Sequence, residues 1–470
     1  MDKLRTWLSR HSTALLLAGI TLAGGALRLW DLGGKSLWGD ELTSWWVAIH
    51  PVSEWKSIVP VEHPPGSFIF QRWSLFLGDS DFFLRLPAWS FGVLGFPALY
   101  FLLKTLKGRG WALTGSALLI ASPIHLYYSQ EARMYAGLFA LSAFSTLCLI
   151  RLYRKSPHPA RWWGLYGLSL LAGAYNVYWS LLMLPAHGVL ILCRAISNQD
   201  TLKKRLKPLL WWALCVAITL AALGFWWEPV SRFIAKQSAS GGSHPTSSFG
   251  LLPFKIIMSQ LAFSEYTWPL EWLLAAVGLI VVFRRNRHLG VFAACWFLLP
   301  FAILFSFSPD KVLVGRYFIF LLPLFIWLLV EGLSGIHQAV ELVMRKYSFS
   351  LSLRRALLIC LPVLIMIAPL MGTMHQIENY FQKEKCDWKS AMEYLSGEVR
   401  KGDALVSGVH YAELGVLRYA PEELKEKVVF VSRLYQLDRL KEIFENHPEA
   451  VWYVTAAWPE IPRQVRQRLL

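Results

Sequence analysis

The chain has 470 residues, of which 55% are hydrophobic and only 17% are charged. This composition and the mean hydropathy of +0.40 exclude an ordinary soluble domain, in which about a quarter of the residues are charged. The net charge of +16 is explained mainly by lysine and arginine residues in the inner segments between the spans, as described below. We therefore expect no nucleic-acid partner.

Apolar segments of about 18 or more residues recur along the chain, and each is long enough to cross a hydrocarbon core of about 30 Å as a helix. We therefore predict a mainly α fold, a polytopic bundle of about eleven spans in a lipid bilayer. The spans are predicted over residues 12–30, 84–103, 110–126, 134–153, 162–179, 180–196, 209–227, 268–284, 290–306, 316–334 and 354–371.

Lysine and arginine are distributed unevenly between the loops. With the N-terminus inside, the inner segments carry 22 of these residues, whereas the outer loops after the third, seventh and ninth spans carry six. Short loops rich in lysine and arginine stay cytoplasmic. The N-terminus is therefore predicted to be cytoplasmic, and the odd number of spans places the C-terminal segment outside. The absence of an Asn-x-Ser/Thr sequence agrees with a bacterial inner membrane.

The pattern divides the chain into a membrane domain, 1–371, with two notable outer loops. Loop 31–83 contains aromatic-rich segments at 41–50 and 66–77, which are predicted to be helices lying on the membrane surface. Loop 228–267 contains a Gly- and Ser-rich run that is typical of flexible segments.

Residues 372–470 form the second part, which is more polar. Short apolar segments at 403–407, 427–431 and 450–455 alternate there with helical patterns. This spacing predicts a small C-terminal α/β domain with a mainly parallel sheet, lying outside the cytoplasm.

Polar residues cluster at the predicted outer ends of the spans, where ionisable groups close to lipid usually mark a site. Asp40 and Glu41 are adjacent in the first outer loop, and Glu62-His-Pro-Pro-Gly66 follows. The further candidates are Arg85 at the second span, Tyr128, Glu131, Arg133 and Tyr135 in a short outer turn, and Lys311, Arg316 and Tyr317 at the tenth span.

Carboxylates and cations on one membrane face suit an amphiphile with an anionic phosphate and a polar head. Arginine binds phosphate oxygens through a planar fork, and lysine binds them as a point charge. A carboxylate can orient sugar hydroxyls or remove a proton from an attacking hydroxyl. A sugar on a phosphate already has a good leaving group, so one base and several cations would be sufficient.

Four motifs occur in order along the chain: the pair Asp40-Glu41, Glu62-His-Pro-Pro65, Gln130-Glu-Ala-Arg-Met-Tyr135 and Gly315-Arg-Tyr317. In these motifs the chain resembles the bacterial relatives of protein O-mannosyltransferases and aminoarabinose (lipid A) transferases. These are membrane glycosyltransferases of the GT-C class. The resemblance implies a GT-C bundle over roughly 1–370, a polyprenyl-phosphate sugar donor, and an envelope lipid, glycan or protein as acceptor. It implies no firm cofactor. A divalent metal has no support, since Glu62 and His63 alone cannot define a coordination sphere.

The resemblance also assigns roles to individual residues. Asp40 would be the general base of an inverting transfer, and Glu41 would help to hold acceptor or sugar. His63 would replace a cation near the phosphate, while Arg133 and Arg316 would hold the carrier phosphate. One departure is Thr43, where aminoarabinose transferases have an arginine; this shifts the expected phosphate binding to Arg133, Lys311 and Arg316.

Other interpretations remain open at this point. Asp40 could be a turn residue, Arg133 could pair with Glu131, and Arg316 and Lys311 could be anchors at a span end. The whole chain could also be a transporter or flippase of lipid-linked sugars, or a non-catalytic membrane scaffold. No repeated halves are visible, and the charged residues lie at one surface, which favours the enzyme over a transporter.

Overall fold

The structure, a computed structural model, describes residues 2–197, 201–239, 251–307, 314–347, 350–383, 385–400, 403–407, 410–430 and 450–454. Within these ranges the α-helices are α1 Asp2–Leu29, α2 Gly39–Ile49, α3 Trp55–Ile58, α4 Gly66–Leu75, α5 Asp81–Leu106, α6 Arg109–Ile120, α7 Pro123–Ser129, α8 Tyr135–Tyr153, α9 Pro159–Asn176, α10 Leu184–Ser197, α11 Leu202–Leu223, α12 Trp227–Ala239, α13 Leu251–Leu261, α14 Trp268–Arg285, α15 Arg287–Phe307, α16 Leu322–Lys346, α17 Leu351–Gln382, α18 Trp388–Glu398, α19 His410–Tyr419 and α20 Glu422–Lys425. Short 3₁₀ helices cover Val52–Glu54, Tyr178–Met183, Gly224–Trp226 and Gly315–Leu321.

Eight helical segments in the described ranges are long and apolar enough to cross a membrane, which confirms the prediction of a multi-pass helical bundle. The other three predicted spans coincide with α6, α9 and α14. The span predicted over 110–126 differs most, because the structure divides it into α6 and α7. Pro123 explains the break, since proline disfavours a helical conformation in the residue before it and cannot donate a backbone hydrogen bond.

Helices α8 and α16 lie at the centre of the bundle. Helix α8 is buried along most of its length and α16 over Leu322–Ser334, as expected for helical segments that are apolar on every side. The N-terminus of α8 is Tyr135, and the 3₁₀ turn Gly315–Leu321 leads into α16. The start of α8 and the turn that precedes α16 therefore carry residues that the sequence marks as site candidates.

The first outer loop contains the two predicted surface helices, now α2 and α4. Helix α2 begins at Gly39 rather than near 41, so Asp40 and Glu41 lie in its first turn, where the helix dipole favours negative charge. Helix α4 begins at Gly66, where a Cβ atom would lie 2.4 Å from the carbonyl oxygen of Tyr175. Only glycine permits that approach, which holds the Pro-Pro-Gly segment against the bundle.

The C-terminal segment contains the predicted sheet. Strands β1 Ala404–Ser407, β2 Val428–Phe430 and β3 Val451–Val454 form a parallel sheet of order β2-β1-β3, which confirms the predicted α/β character. Helix α17 continues to Gln382, beyond the predicted end of the membrane domain.

The core of the C-terminal domain is shared with the first outer loop. Leu37 and Leu42 from that loop pack in one cluster with Trp388, Met392 and Leu405. The domain is therefore packed directly onto the loop that carries Asp40. Residues 240–250 of the Gly- and Ser-rich run, and Lys311, lie outside the described residues.

Candidate functional site

Asp40 and Arg316 form the centre of the candidate site. Oδ2 of Asp40 lies 3.3 Å from Nη1 of Arg316, and both side chains are 21% exposed. The two residues are far apart in the sequence and are brought together by α2 and the 3₁₀ turn before α16. The carboxylate thus faces a guanidinium while remaining open to solvent.

Arg133 lies against the same turn of α2. Its Nη1 donates hydrogen bonds to the carbonyl oxygen of Asp40 at 3.1 Å and to Oγ of Ser44 at 3.2 Å. Its Nη2 lies 2.9 Å from Nε2 of His63. The guanidinium can only donate, so His63 accepts and is neutral. Burial, together with the charges of Arg133 and Arg316, holds the pKa of His63 well below its ordinary value.

Three aromatic rings surround the Arg316 guanidinium. Its central carbon lies 5.5 Å from the ring of Trp38, 5.8 Å from Tyr135 and 5.4 Å from Tyr317. Tyr317 in turn stacks on Trp179 at 4.7 Å. Cation–π contacts and stacking orient a planar guanidinium, so Arg316 has a fixed direction beside Asp40.

Glu41, next to Asp40, has different surroundings. It is 1% exposed and accepts hydrogen bonds at 2.8 Å from both Nε and Nη2 of Arg85. It also accepts from the backbone N–H of Ala132 at 2.7 Å. Burial alone would raise the pKa of Glu41, but Arg85 and the Ala132 N–H more than offset this and leave it below its ordinary value.

The turn at 130–134 is fixed by side chains from other segments. Besides the contact with Glu41, Ala132 accepts a hydrogen bond from Gln71 at 2.6 Å, and Met134 accepts one from Asn176 at 2.8 Å. Backbone groups that are held from several directions leave little freedom to the loop. Arg133 is therefore presented to α2 by a rigid turn.

Glu131 does not pair with the side chain of Arg133. It forms an ion pair with Lys385 of the C-terminal segment, and burial raises the pKa of its carboxyl group despite that cation. The Lys385 ammonium also lies 4.4 Å from the ring of Trp38. Lys385 thus connects the turn to the first loop.

A cavity of about 710 Å³ opens beside this cluster. Trp38 and Tyr128 line it and also border the cluster, since Trp38 contacts Arg316 and the ring of Tyr128 lies 4.9 Å from that of Tyr135. Asp40 and Arg316 are next to the cavity rather than in its wall. Charged residues in the wall are Asp31, Lys35, Glu41, Arg85, Glu131, Glu265, Lys383 and Lys385.

Several buried polar atoms at the site have no hydrogen-bond partner in the described part of the protein. They are Nε of Arg133, Nε of Arg316, Nδ1 of His63 and Oε2 of Glu131. Buried polar atoms are nearly always hydrogen-bonded. Water or a polar ligand could provide the missing hydrogen-bond partners of these four atoms.

The remaining predicted residues are placed as follows. Glu62 is exposed beside His63, Tyr128, Tyr135 and Tyr317 border the cluster, and Lys311 is outside the described residues. Among the residues that the structure describes, no group of three or more His, Cys, Asp or Glu side chains is arranged to hold a metal ion.

Sequence reasoning missed Lys385 and Tyr380, which both follow the last predicted span, Tyr380 in the continuation of α17. Tyr380 lines the cavity and stacks on Tyr127 at 4.3 Å. No motif surrounds either residue, so no sequence signal marked them.

Thr43 is the position at which the sequence departs from the aminoarabinose transferases. Its hydroxyl donates to the carbonyl oxygen of Gly39 at 3.1 Å within α2. The guanidinium of Arg133 lies against the same helix.

Comparisons with known proteins identify the family and the fold that this chain resembles. Residues 62–227 match the family described as dolichyl-phosphate-mannose-protein mannosyltransferase. No curated protein sequence matches the chain.

Two solved proteins show the same fold. ArnT from Cupriavidus metallidurans in the apo state is 15% identical, with a TM-score of 0.56 over 95% of this chain and 90% of that one. The structure of ArnT bound to undecaprenyl phosphate is 16% identical, with a TM-score of 0.52 over 94% of this chain and 90% of that one. The oligosaccharyltransferase AglB from Archaeoglobus fulgidus, in complex with an inhibitory peptide and a dolichol-phosphate, is 11% identical, with a TM-score of 0.57 over 92% of this chain and 65% of that one. The chain therefore has the fold of the GT-C class membrane glycosyltransferases, and it resembles those related to protein O-mannosyltransferases and aminoarabinose transferases.

Proposed function

We propose that the protein transfers a sugar from a polyprenyl-phosphate donor to a hydroxyl group of a cell-envelope lipid, glycan or protein. The observation that carries the proposal is the pair formed by Asp40 and Arg316, with Arg133 and His63 beside it and a large cavity adjacent. A carboxylate, several cations and an open volume are the parts that such a transfer needs.

The structural neighbours support the class of donor. ArnT has been solved with undecaprenyl phosphate and AglB with a dolichol-phosphate, and another AglB structure carries a tethered acceptor peptide. All these ligands are lipid phosphates or sugar acceptors. By analogy, we assign this chain a lipid-phosphate sugar as donor, and its acceptor remains one of the three envelope classes named above.

In the proposed reaction, Asp40 takes the proton of the acceptor hydroxyl as its oxygen attacks the anomeric carbon. The bond between that carbon and the phosphate oxygen breaks, and its electron pair leaves with the polyprenyl phosphate. A single displacement of this kind inverts the anomeric centre. Arg316 and Arg133 stabilise the negative charge that builds up on the departing phosphate.

Glu41 takes a supporting part in this proposal. Its carboxylate is fully engaged by Arg85 and the Ala132 N–H, so it orients the first turn of α2 instead of meeting the substrate. The ion pair between Glu41 and Arg85 holds the first turn of α2 in place, and this turn sets the direction in which the Asp40 side chain points.

We place the reaction at the outer face of a bacterial inner membrane, with the N-terminus in the cytoplasm. The site residues lie at the ends of the spans opposite to the lysine- and arginine-rich ends, which is the arrangement that the positive-inside rule predicts. The C-terminal domain, packed on the first loop, would then lie in the periplasm.

The test is transfer by the purified protein carrying Asp40→Asn. The donor is recovered as the lipid-linked sugar that copurifies with the protein, identified by mass spectrometry, and its consumption is then followed. Glu54→Gln is the matched control, because Glu54 is an exposed carboxylate of the same outer loop and does not line the cavity.

Asp40→Asn should abolish transfer while Glu54→Gln retains it. Near-normal transfer by a folded Asp40→Asn protein would refute the role of Asp40. Movement of the lipid-linked sugar across vesicle membranes, with no product formed, would favour a flippase instead.

A further inference from the structure

A second cavity, of about 820 Å³, lies between α9 and α11, away from the candidate site. Its walls are largely apolar and include Trp163, Leu168, Leu214 and Ile218. The last three of these are exposed on the outside of the bundle. The cavity is therefore a groove that opens toward lipid.

Glycine creates the space in this groove. Gly164 and Gly167 both line it from α9. A Cβ atom on Gly167 would touch Sγ of Cys215 at 3.3 Å, whereas a Cβ atom on Gly164 would meet nothing within 4 Å. The ring of Trp163 stacks near that of Trp211 at 6.5 Å, which closes one part of the groove.

One end of the groove is strongly basic. Lys155, Arg194, Lys204 and Lys207 line it, and none of the described lining residues is acidic. Arg194 donates to the carbonyl oxygen of Leu152. Within the part of the chain that the structure describes, none of the four cations has a carboxylate partner at ion-pair distance.

The basic end lies on the membrane face opposite to the candidate site. Helix α8 starts at Tyr135 beside Arg316 and ends at Tyr153, just before Lys155. Nineteen helical residues span about 28 Å, close to the thickness of the hydrocarbon core. The same face is predicted to be cytoplasmic.

Lys155 occupies an unusual backbone position. It has a φ of 56° and follows the last turn of α8, where its N–H bonds to the carbonyl of Leu152 and the N–H of Ser156 bonds to that of Arg151. This is the C-terminal helix motif in which glycine is usual, because other residues are disfavoured there. A lysine at this position supplies a charge where local backbone preference would select glycine.

We propose that this groove binds a phospholipid with an anionic headgroup from the bilayer leaflet opposite to the candidate site. The headgroup phosphate would lie among Lys155, Arg194, Lys204 and Lys207, and an acyl chain would lie along Gly164 and Trp211. Basic pockets between spans at the cytoplasmic surface are suited to such headgroups. The occupant is a lipid of the bilayer and not the sugar donor.

Native mass spectrometry of the full chain in detergent, titrated with phosphatidylglycerol or phosphatidylcholine, tests the proposal. The wild-type protein should bind phosphatidylglycerol more tightly. Lys204→Ala with Lys207→Ala should weaken its binding about thirtyfold, since each lysine near a membrane surface contributes about a fivefold effect. Lys155→Gly should weaken it without loss of thermal stability, because glycine suits that φ value.

The matched control removes two charges from the same helices outside the groove, as Arg161→Ala with Lys203→Ala. It should bind phosphatidylglycerol like the wild type. Gly164→Leu should fill the groove and reduce binding of phosphatidylglycerol while the protein stays folded. Equal loss in the control, equal affinity for phosphatidylcholine, or binding of polyprenyl phosphate alone would each overturn the proposal.

Discussion

Asp40 and Glu41 are adjacent acids with different expected roles. Loss of Glu41 should lower the stability of the protein, whereas loss of Asp40 should abolish transfer. Glu41→Gln keeps the shape of the side chain but removes the charge that neutralises Arg85. Arg85 is 4% exposed and also donates to the carbonyl oxygens of Leu32, Lys35 and Ser36, so it cannot turn away to reach water. The substitution therefore leaves a buried cation without its carboxylate counter-ion.

The size of the effect follows from these contacts. Breaking a buried ion pair by removing one partner costs about 3–5 kcal/mol. The two hydrogen bonds from Arg85, at about 1.5–3 kcal/mol each for a charged group, give a similar sum. Asp40, by contrast, makes one 3.3 Å contact at 21% exposure, and such half-open pairs contribute about 1 kcal/mol or less.

Equilibrium unfolding in mixed micelles, run in parallel with the transfer assay, separates the two cases. Glu41→Gln should lower the free energy of unfolding by about 3–5 kcal/mol. Asp40→Asn should change it by about 1 kcal/mol or less and abolish transfer. If Glu41→Gln is as stable as the wild type, or if both variants lose stability equally, the assigned division between the two acids is wrong.

Three further predictions concern the surrounding cluster. The depressed pKa of His63 means that the unfolded chain takes up a proton at this residue below about pH 6.5, while the folded site does not. Stability should therefore fall from pH 7.5 to 5.5. His63→Gln should make that fall smaller, and an unchanged fall would contradict the assignment. Arg316→Lys keeps the charge but loses the planar fork between three rings, and kcat/KM for the donor should fall about tenfold to a hundredfold; an unchanged value would contradict the proposed phosphate contact. Lys385→Ala should destabilise the protein by about 1–3 kcal/mol because buried Glu131 loses its ion-pair partner. Adding Glu131→Gln to this variant should restore most of the lost stability. A double-mutant cycle that shows no coupling between the two residues would contradict the ion pair.

The sequence was sufficient to predict the bundle, the parallel sheet and the clustering of polar residues at one end of the spans. Apolar length and the period of the strands are local signals, so the helices and β1 to β3 appear close to their predicted positions. The four motifs predicted that Asp40, Arg133 and Arg316 would share one site, and the structure brings these three together.

Other features depend on contacts that no local pattern reveals. Asp40 and Glu41 look equivalent in the sequence, yet one faces solvent and the other is buried, because α2 begins at Gly39 and turns successive residues in different directions. Lys385 reaches Glu131 only after the whole bundle has formed. The pairing of Arg133 with α2 instead of Glu131 has the same origin in long-range packing.

The docking of the C-terminal domain has a consequence for how the protein matures. Tyr419 accepts from the backbone N–H of Leu37 and donates to Asp81, and a Cβ atom on Gly39 would lie 3.0 Å from the ring of Tyr411. The helix that carries Asp40 is thus braced by residues synthesised more than three hundred positions later. A ribosome must have passed Tyr419 before these contacts can form, so a nascent chain stalled earlier would insert into the bilayer with α2 still unsupported on that side.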